Sequence, residues 1–410
     1  MYAFLLIAGF SLLAAWVLFF FANRDLLLRL WREPTLLRPV VIVESDDWGP
    51  GPEADAQALQ RIAAILARVR DREHRPAVMT LGVVLGKPDG AAILADNCGH
   101  YHRSGLGEAR YAPIVGAMRQ GCEMGVFALQ RHGLEHCWPE SLLVRARQDG
   151  VLRAWLADPE ARSEALPPTL QSRWVDAGTL PSRPLPEAEV RRAVMDEAEV
   201  FLTLFGICPP VAVPNTFVWD DAVERAWVQS GVRCVVTCGR QYQARGADGA
   251  LAATARRIVN GESGQSGVRY LVRDAYFEPI RGHRAEQVWE AVARRTALGR
   301  PTLLETHRES FIDADHGDTA LAELERALAG VVERHPDVCF ISTERLADAY
   351  ADRQHALWQR SMRARSVTFL RRLLAEAGLS RPLKLCGLYF VLPMAVRLLA
   401  AVTPSAAGRH

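Results

Sequence analysis

The stretch Val40-Val41-Ile42-Val43-Glu44-Ser45-Asp46-Asp47-Trp48-Gly49 joins a β-branched apolar run to two adjacent carboxylates. Four such residues in a row suit a strand buried on both faces, the kind found in parallel sheets covered by helices. Comparable runs recur at 78–84, 124–130, 211–215, 233–237, 270–274, 302–306 and 338–342. Between the first two, Leu59, Ile62, Ala63, Leu66 and Val69 repeat at helical spacing. Further helices fit 187–205, 220–230, 285–297 and 319–334. Seven or eight βα units predict an α/β fold, a TIM-like barrel in preference to an open doubly wound sheet. Residues 138–186 hold seven prolines and no strand signal, which marks an insertion after the third strand. Its position predicts that it lies at the active-site face.

The chain has 410 residues, 49 basic and 47 acidic, for a net charge of +2, and 49% of them are hydrophobic. That composition excludes disorder and collagen-like repeats. Residues 353–410 hold ten Lys/Arg against the single acid Glu376, a net +9, while residues 39–352 net −9. An acidic body argues against nucleic acid as a partner, and basic ends suit an anionic membrane surface. Arginine-rich coding bias would place the same charges with no membrane involved. The eight cysteines (98, 122, 137, 208, 234, 238, 339, 386) show no disulfide spacing, so free buried thiols and a reducing compartment are expected.

Residues 3–22, AFLLIAGFSLLAAWVLFFFA, are uncharged and long enough to cross about 30 Å of hydrocarbon as one helix. No basic residue precedes the segment and no small-residue cleavage site ends it, which predicts an uncleaved single-pass anchor. Arg24, Arg29 and Arg32 follow it, so the positive-inside rule puts the body on the cytoplasmic face of the inner membrane. Near the other end, residues 367–379 and 385–396 read as a basic amphipathic segment lying in the bilayer interface, or as helices packed on the barrel. The chain therefore divides into an anchor with its basic flank (1–35), a barrel (39–352) and a membrane-associated tail (353–410).

Three motifs fall at predicted strand ends. The adjacent acids Asp46 and Asp47 repel unless a cation favours their charged forms; a helix-capping turn is the alternative. Arg131-His132-Gly133-Leu134-Glu135-His136 contains an H-x-x-x-H pair that, on a helical turn, sets both imidazoles on one face to share a metal. The run PTLLET delivers His307 to the same face, where a general acid is expected.

In this order, SDDWG, HGLEH and LLETHR resemble the motifs of the NodB-homology polysaccharide deacetylases, the fourth carbohydrate esterase family. The resemblance covers residues 40–350 and implies a distorted (β/α) barrel. By position, it implies that Asp46 is the catalytic base, that Asp47, His132 and His136 bind the metal, and that His307 is the general acid. The family's arginine-bearing third motif matches only Ala212-Val213-Pro214-Asn215, which lacks the arginine. Arg273 in YLVRDAYFEP is the candidate to supply that charge, and Asp274 or Glu278 to orient His307.

These roles imply hydrolysis of an N-acetyl group on a polysaccharide or lipid-linked sugar during envelope or exopolysaccharide assembly. With the topology reversed, an exported glycan becomes the substrate. Zinc is the first metal expected, and a two-histidine, one-carboxylate set also suits cobalt, nickel or iron. Such a set also serves non-haem iron oxygenases, whose usual H-x-[DE]…H order differs from the order here. The stronger rival is a membrane-tethered protein without activity that binds a glycan or a biosynthetic partner, a reading favoured by the missing arginine. Trp48, Trp138 and Trp219 offer sugar-stacking faces or simple barrel packing.

Overall fold

A computed structural model describes residues 2–401, apart from the side chains of 2–9 and 253–255. Its centre is a parallel sheet of nine strands: β1 (Val40–Trp48), β2 (Met79–Val83), β3 (Phe127–Arg131), β4 (Val211–Ala212), β5 (Cys234–Thr237), β6 (Arg269–Val272), β7 (Ala275–Tyr276), β8 (Thr302–His307) and β9 (Cys339–Phe340). The spatial order is β6-β5-β4-β3-β2-β1-β8-β7, with β9 pairing the start of β1. Strands β6 and β7 are the two ends of that row, yet only Arg273 and Asp274 join them. Three residue steps span at most about 11 Å, so the sheet must curl until its ends nearly meet. The result is a distorted half-barrel of eight parallel strands with a seam at Arg273.

Side-chain alternation sorts β1 into two layers. Val41 and Val43 pack outward against Leu59, Ile62 and Leu66 of the helix Glu53–Arg68. Val40 and Ile42 belong to the inner cluster with Val211, Val236, Leu271 and Leu303. Each aliphatic side chain fully buried in this way contributes about 1.5–3 kcal/mol. The same alternation points Glu44 and Asp46 into the barrel. The expected helices occur at Glu187–Phe205, Asp221–Gln229, Ala285–Ala297 and Gly317–Arg334.

Between β3 and β4 the chain forms two short helices, Pro139–Ala146 and Gly150–Ala157, and a ribbon pairing Val175–Asp176 with Arg183–Pro184. Arg308, which follows β8, pins this region: its Nη2 lies 2.5 Å from Glu164, and its Nη1 lies 3.3 Å from Asp55, which also accepts from Arg162.

The two ends of the chain pack together at the start of the strands. Phe19, Leu27 and Leu30 share a cluster with Leu373, Leu379, Leu383 and Leu388. The Trp16 indole donates to the Cys386 carbonyl at 2.8 Å. Buried Arg372 donates to the carbonyls of Leu30, Glu33, Pro34 and Leu298, tying the tail to the segments that enter β1 and β8.

The expected span, residues 3–22, is only partly described. Residues Tyr2–Ala22 are helical, but the side chains described begin at Phe10, so the first part of the span lies outside the described residues. Among the described residues, no single helix is long and apolar enough to cross a membrane. Two bent pairs meet the length and composition together: Phe10–Ala22 with Arg24–Arg32, at 68°, and Ala377–Leu385 with Leu388–Ala401, at 106°. Bent helices that pack on each other form an apolar foot rather than a straight rod. The end of the tail, 402–410, lies outside the described residues.

Candidate metal centre

In a regular strand, Asp46 and Asp47 would face opposite sides of the sheet. The register of β1 against β2 shifts between Ser45 and Trp48, and Asp47 has φ +71. This bulge swings Asp47 back to the mouth of the barrel, so both carboxylates serve one site. Asp46 pairs in register with His307 of the neighbouring strand β8.

His132 and His136 follow β3, but the segment is a loop, which corrects the expected helical turn. Gly133 has φ +96, a conformation that a side chain would strain. Polar contacts fix the loop. Gly133 N–H donates to Glu197 at 2.8 Å, and the Asn215 amide donates to the His132 carbonyl at 2.9 Å. Buried Glu135 pairs with Arg103 and with Arg173. The segment Val213-Pro214-Asn215 also holds the loop: the Val213 carbonyl lies 2.9 Å from His132 Nδ1.

Oxygen Oδ1 of Asp47 lies 3.2 Å from His132 Nε2 and 2.9 Å from His136 Nε2. The three ligand atoms converge within 4.8 Å, and all three residues are buried. If Nδ1 of His132 donates to the Val213 carbonyl, its Nε2 carries a lone pair aimed at a carboxylate oxygen that has no hydrogen bond of its own. Two facing acceptors repel unless a cation lies between them. A divalent ion fits that need, and two imidazoles with one carboxylate suit zinc and its neighbours. Burial pushes the Asp47 carboxyl up, but the two imidazoles outweigh it and hold the group well below its usual value. Burial pushes His132 down, and the charges of Asp46 and Asp47 more than reverse that.

Beside the triad lies the barrel seam. Arg273 is fully buried and donates to Asp46 Oδ2 at 2.6 Å, to Glu44 at 3.2 Å and to Glu305 at 3.2 Å. One guanidinium thus faces three carboxylates. Burial raises Asp46, but Arg273 and then His132 pull its carboxyl below the usual range. Burial lifts Glu44 to about 7, against the pull of Arg273 and of the Thr343 hydroxyl.

His307 keeps 32% of its side chain exposed and reaches the Glu278 carboxylate through Nδ1. Burial pushes its imidazole down, yet Glu278 and the charges of Asp47 and Asp46 raise it to about 10. Asp274 is not brought to His307. It alternates outward from Arg273 and pairs with Arg295. Trp48 and Trp219 are fully buried and Trp138 nearly so, under the Arg173 guanidinium, which leaves packing as their role. A cleft of about 390 Å³ on the same face is lined by Lys87, Arg110 and Trp155 among others.

Sequence reading missed Glu44, Glu305, Thr343, Glu197 and Asn215. The period-2 pattern of β1 and β8 signals Glu44 and Glu305 as inward-facing; nothing local signals the others.

No family model and no curated protein matches the chain. Solved structures do. The family 4 carbohydrate esterase of Streptomyces lividans, in complex with acetate, aligns over 76% of this chain and 96% of its own at 10% identity and a TM-score of 0.37. The peptidoglycan deacetylase PdaC of Bacillus subtilis aligns over 77% and 92% at 11% identity and a TM-score of 0.36. The 4-alpha-glucanotransferase of Thermococcus litoralis aligns over 77% of this chain and 40% of its own, at 8% identity and a TM-score of 0.42.

Proposed function

We propose that the chain is a metal-dependent hydrolase that removes acetyl groups from an N-acetylated sugar of a polysaccharide or lipid-linked glycan in envelope or exopolysaccharide assembly. The observation that carries this reading is the convergence of Asp47, His132 and His136 on one point, beside a second carboxylate held by a buried arginine.

Asp47, His132 and His136 would hold a divalent ion, whose chemistry would be to lower the pKa of a bound water and polarise an acetyl carbonyl. Asp46 is the base: its Oδ1 is buried and free of hydrogen bonds, while Arg273 occupies Oδ2. Arg273 keeps the carboxylate ionised and fixed in rotamer, doing from the seam what an arginine in the 211–215 segment would do. His307 is charged at neutral pH and partly open to solvent, so it can give its proton to the departing sugar nitrogen. Glu278 orients that ring through Nδ1. The products are acetate and a free amine.

The non-catalytic reading drew on the missing arginine, and the 2.6 Å contact between Arg273 and Asp46 favours the enzyme instead. Placement of the barrel at a membrane surface draws on the exposed apolar residues of the foot, and the flank Arg24, Arg29 and Arg32 supports the cytoplasmic side.

Elemental analysis of the detergent-purified chain, followed by an acetate-release screen over N-acetylated glycans, tests the proposal. About one divalent ion per chain, and acetate release abolished in Asp46→Asn, is the expected result. Metal-loaded protein that releases no acetate from any of them overturns it.

A further inference from the structure

A second site lies at the opposite end of the barrel. A cavity of about 840 Å³ opens between the helix Arg24–Arg32, the turn at 259–263 and the segment 350–365. Six arginines line it: Arg29, Arg32, Arg269, Arg353, Arg360 and Arg365. Only two acids accompany them. Glu33 accepts from Arg300 through both oxygens at 2.7 Å, so its charge is already met. Glu262 is shared between Arg29 at 3.6 Å and Arg256 at 3.5 Å. Arg32 and Arg353 make no hydrogen bond or ion pair among the described residues. The cavity is left strongly positive, and like charges gathered around one space repel unless an anion joins them.

Guanidinium forks bind the oxygens of phosphate bidentately, and several arginines can share its tetrahedral set of oxygens. The walls add a second requirement. Trp31 lies beneath Arg365, with the guanidinium carbon 5.2 Å from the ring centroid, and meets Phe369 edge-on at 5.4 Å. Trp31 belongs to the foot helix Arg24–Arg32, and Phe369 to the helix Met362–Ala375 that packs against the foot. That foot turns Phe10, Phe21, Leu385 and Phe390 to the outside, each at least 70% exposed. A phosphate carried on acyl chains meets both features, with its charge in the cavity and its chains along the exposed apolar side chains.

We propose that this cavity binds the phosphate of an anionic glycerophospholipid headgroup, fastening the base of the barrel to the bilayer. The site is separate from the metal centre and independent of the deacetylase reading. A soluble phosphate ester shares the headgroup chemistry but leaves the apolar foot uncovered.

The test uses the full chain in neutral detergent, titrated with dioctanoyl phosphatidylglycerol, dioctanoyl phosphatidylcholine and inorganic pyrophosphate. A double variant, Arg32→Gln with Arg353→Gln, removes two charges that hold nothing else in place, and its thermal melting reports that it folds. The phosphatidylglycerol is expected to bind saturably and the phosphatidylcholine far more weakly, with the variant weakened about thirtyfold. Pyrophosphate that displaces the lipid at equal concentration retains the anion site but moves its ligand to soluble phosphate esters, overturning the lipid assignment. Equal binding of the two lipids, or unchanged binding in the folded variant, overturns the site itself.

Discussion

The Arg273 guanidinium reaches the Asp46 carboxylate at 2.6 Å from the two-residue link that joins the ends of the curled sheet. Asp46 lies on β1, inside the row of strands, and Arg273 in the link between its two ends, so the curl of the sheet is what brings that link to the base.

Replacing Arg273 by Met is expected to lower kcat by about 10²- to 10³-fold, the scale of a lost charged donor at a reacting centre. The sign of the pH effect follows from Asp46, which Arg273 holds below its usual range. Without the guanidinium the carboxyl protonates at higher pH, so the acidic limb of kcat/KM moves upward. Arg273→Lys should recover part of the rate. Profiles measured below the melting temperature decide the matter, and an unmoved acidic limb excludes Asp46 as the base.

His307 must carry its proton to act as the acid, so activity falls as pH rises through its pKa, raised to about 10 without metal. A divalent ion at Asp47 adds positive charge and brings the alkaline limb below that value. Glu278→Gln removes the first upward contribution and should shift the limb further down, by one pH unit or more. Alkaline limbs that coincide in the two proteins assign that ionisation elsewhere.

The triad should couple metal to stability. Chelation is expected to lower Tm of the wild-type chain by several degrees, as for any ligand that binds only the folded state. His132→Ala should already melt at the chelated value and be insensitive to the chelator. Since the imidazoles bind metal only when unprotonated, affinity should weaken as pH falls. Calorimetry with and without added zinc follows all three effects.

Gly82 on β2 sits against the base. A Cβ there would lie 2.4 Å from Asp46 Oδ1 and 3.1 Å from its Cγ. Gly82→Ala should therefore push the carboxylate off its position, at a cost of about 1–3 kcal/mol in stability, and reduce turnover about 100-fold. A stable Gly82→Ala protein with wild-type kcat would show that the Asp46 position is not critical.

Much of this was legible in the sequence because it is local. The β-branched runs mark the strands, and the 3.6-residue period gives the helix at 187–205 to the residue. Asp46, Asp47, His132, His136 and His307 stand at strand ends, and parallel strands bring those ends to one face. What escaped was non-local or set by backbone conformation. The left-handed Gly133 turned an expected helical turn into a loop. Alternation after β6 sent Arg273 inward and Asp274 outward to Arg295, and no spacing rule says that Glu278 and not Asp274 meets His307. The packing of Trp16 against Cys386 joins residues that lie 370 apart in sequence, and no window of sequence contains both.

Strand β1 leaves the apolar foot at one end and carries Asp46 and Asp47 at the other, so its length fixes a working height. Val40 to Asp47 spans about 23 Å at about 3.3 Å per residue. If the foot rests on a bilayer, the metal centre looks away from it at about that height. A glycan long enough to rise from the surface, or one arriving from the aqueous side, meets it directly. The length of one strand would then set how far from the surface a glycan must reach to meet the metal centre.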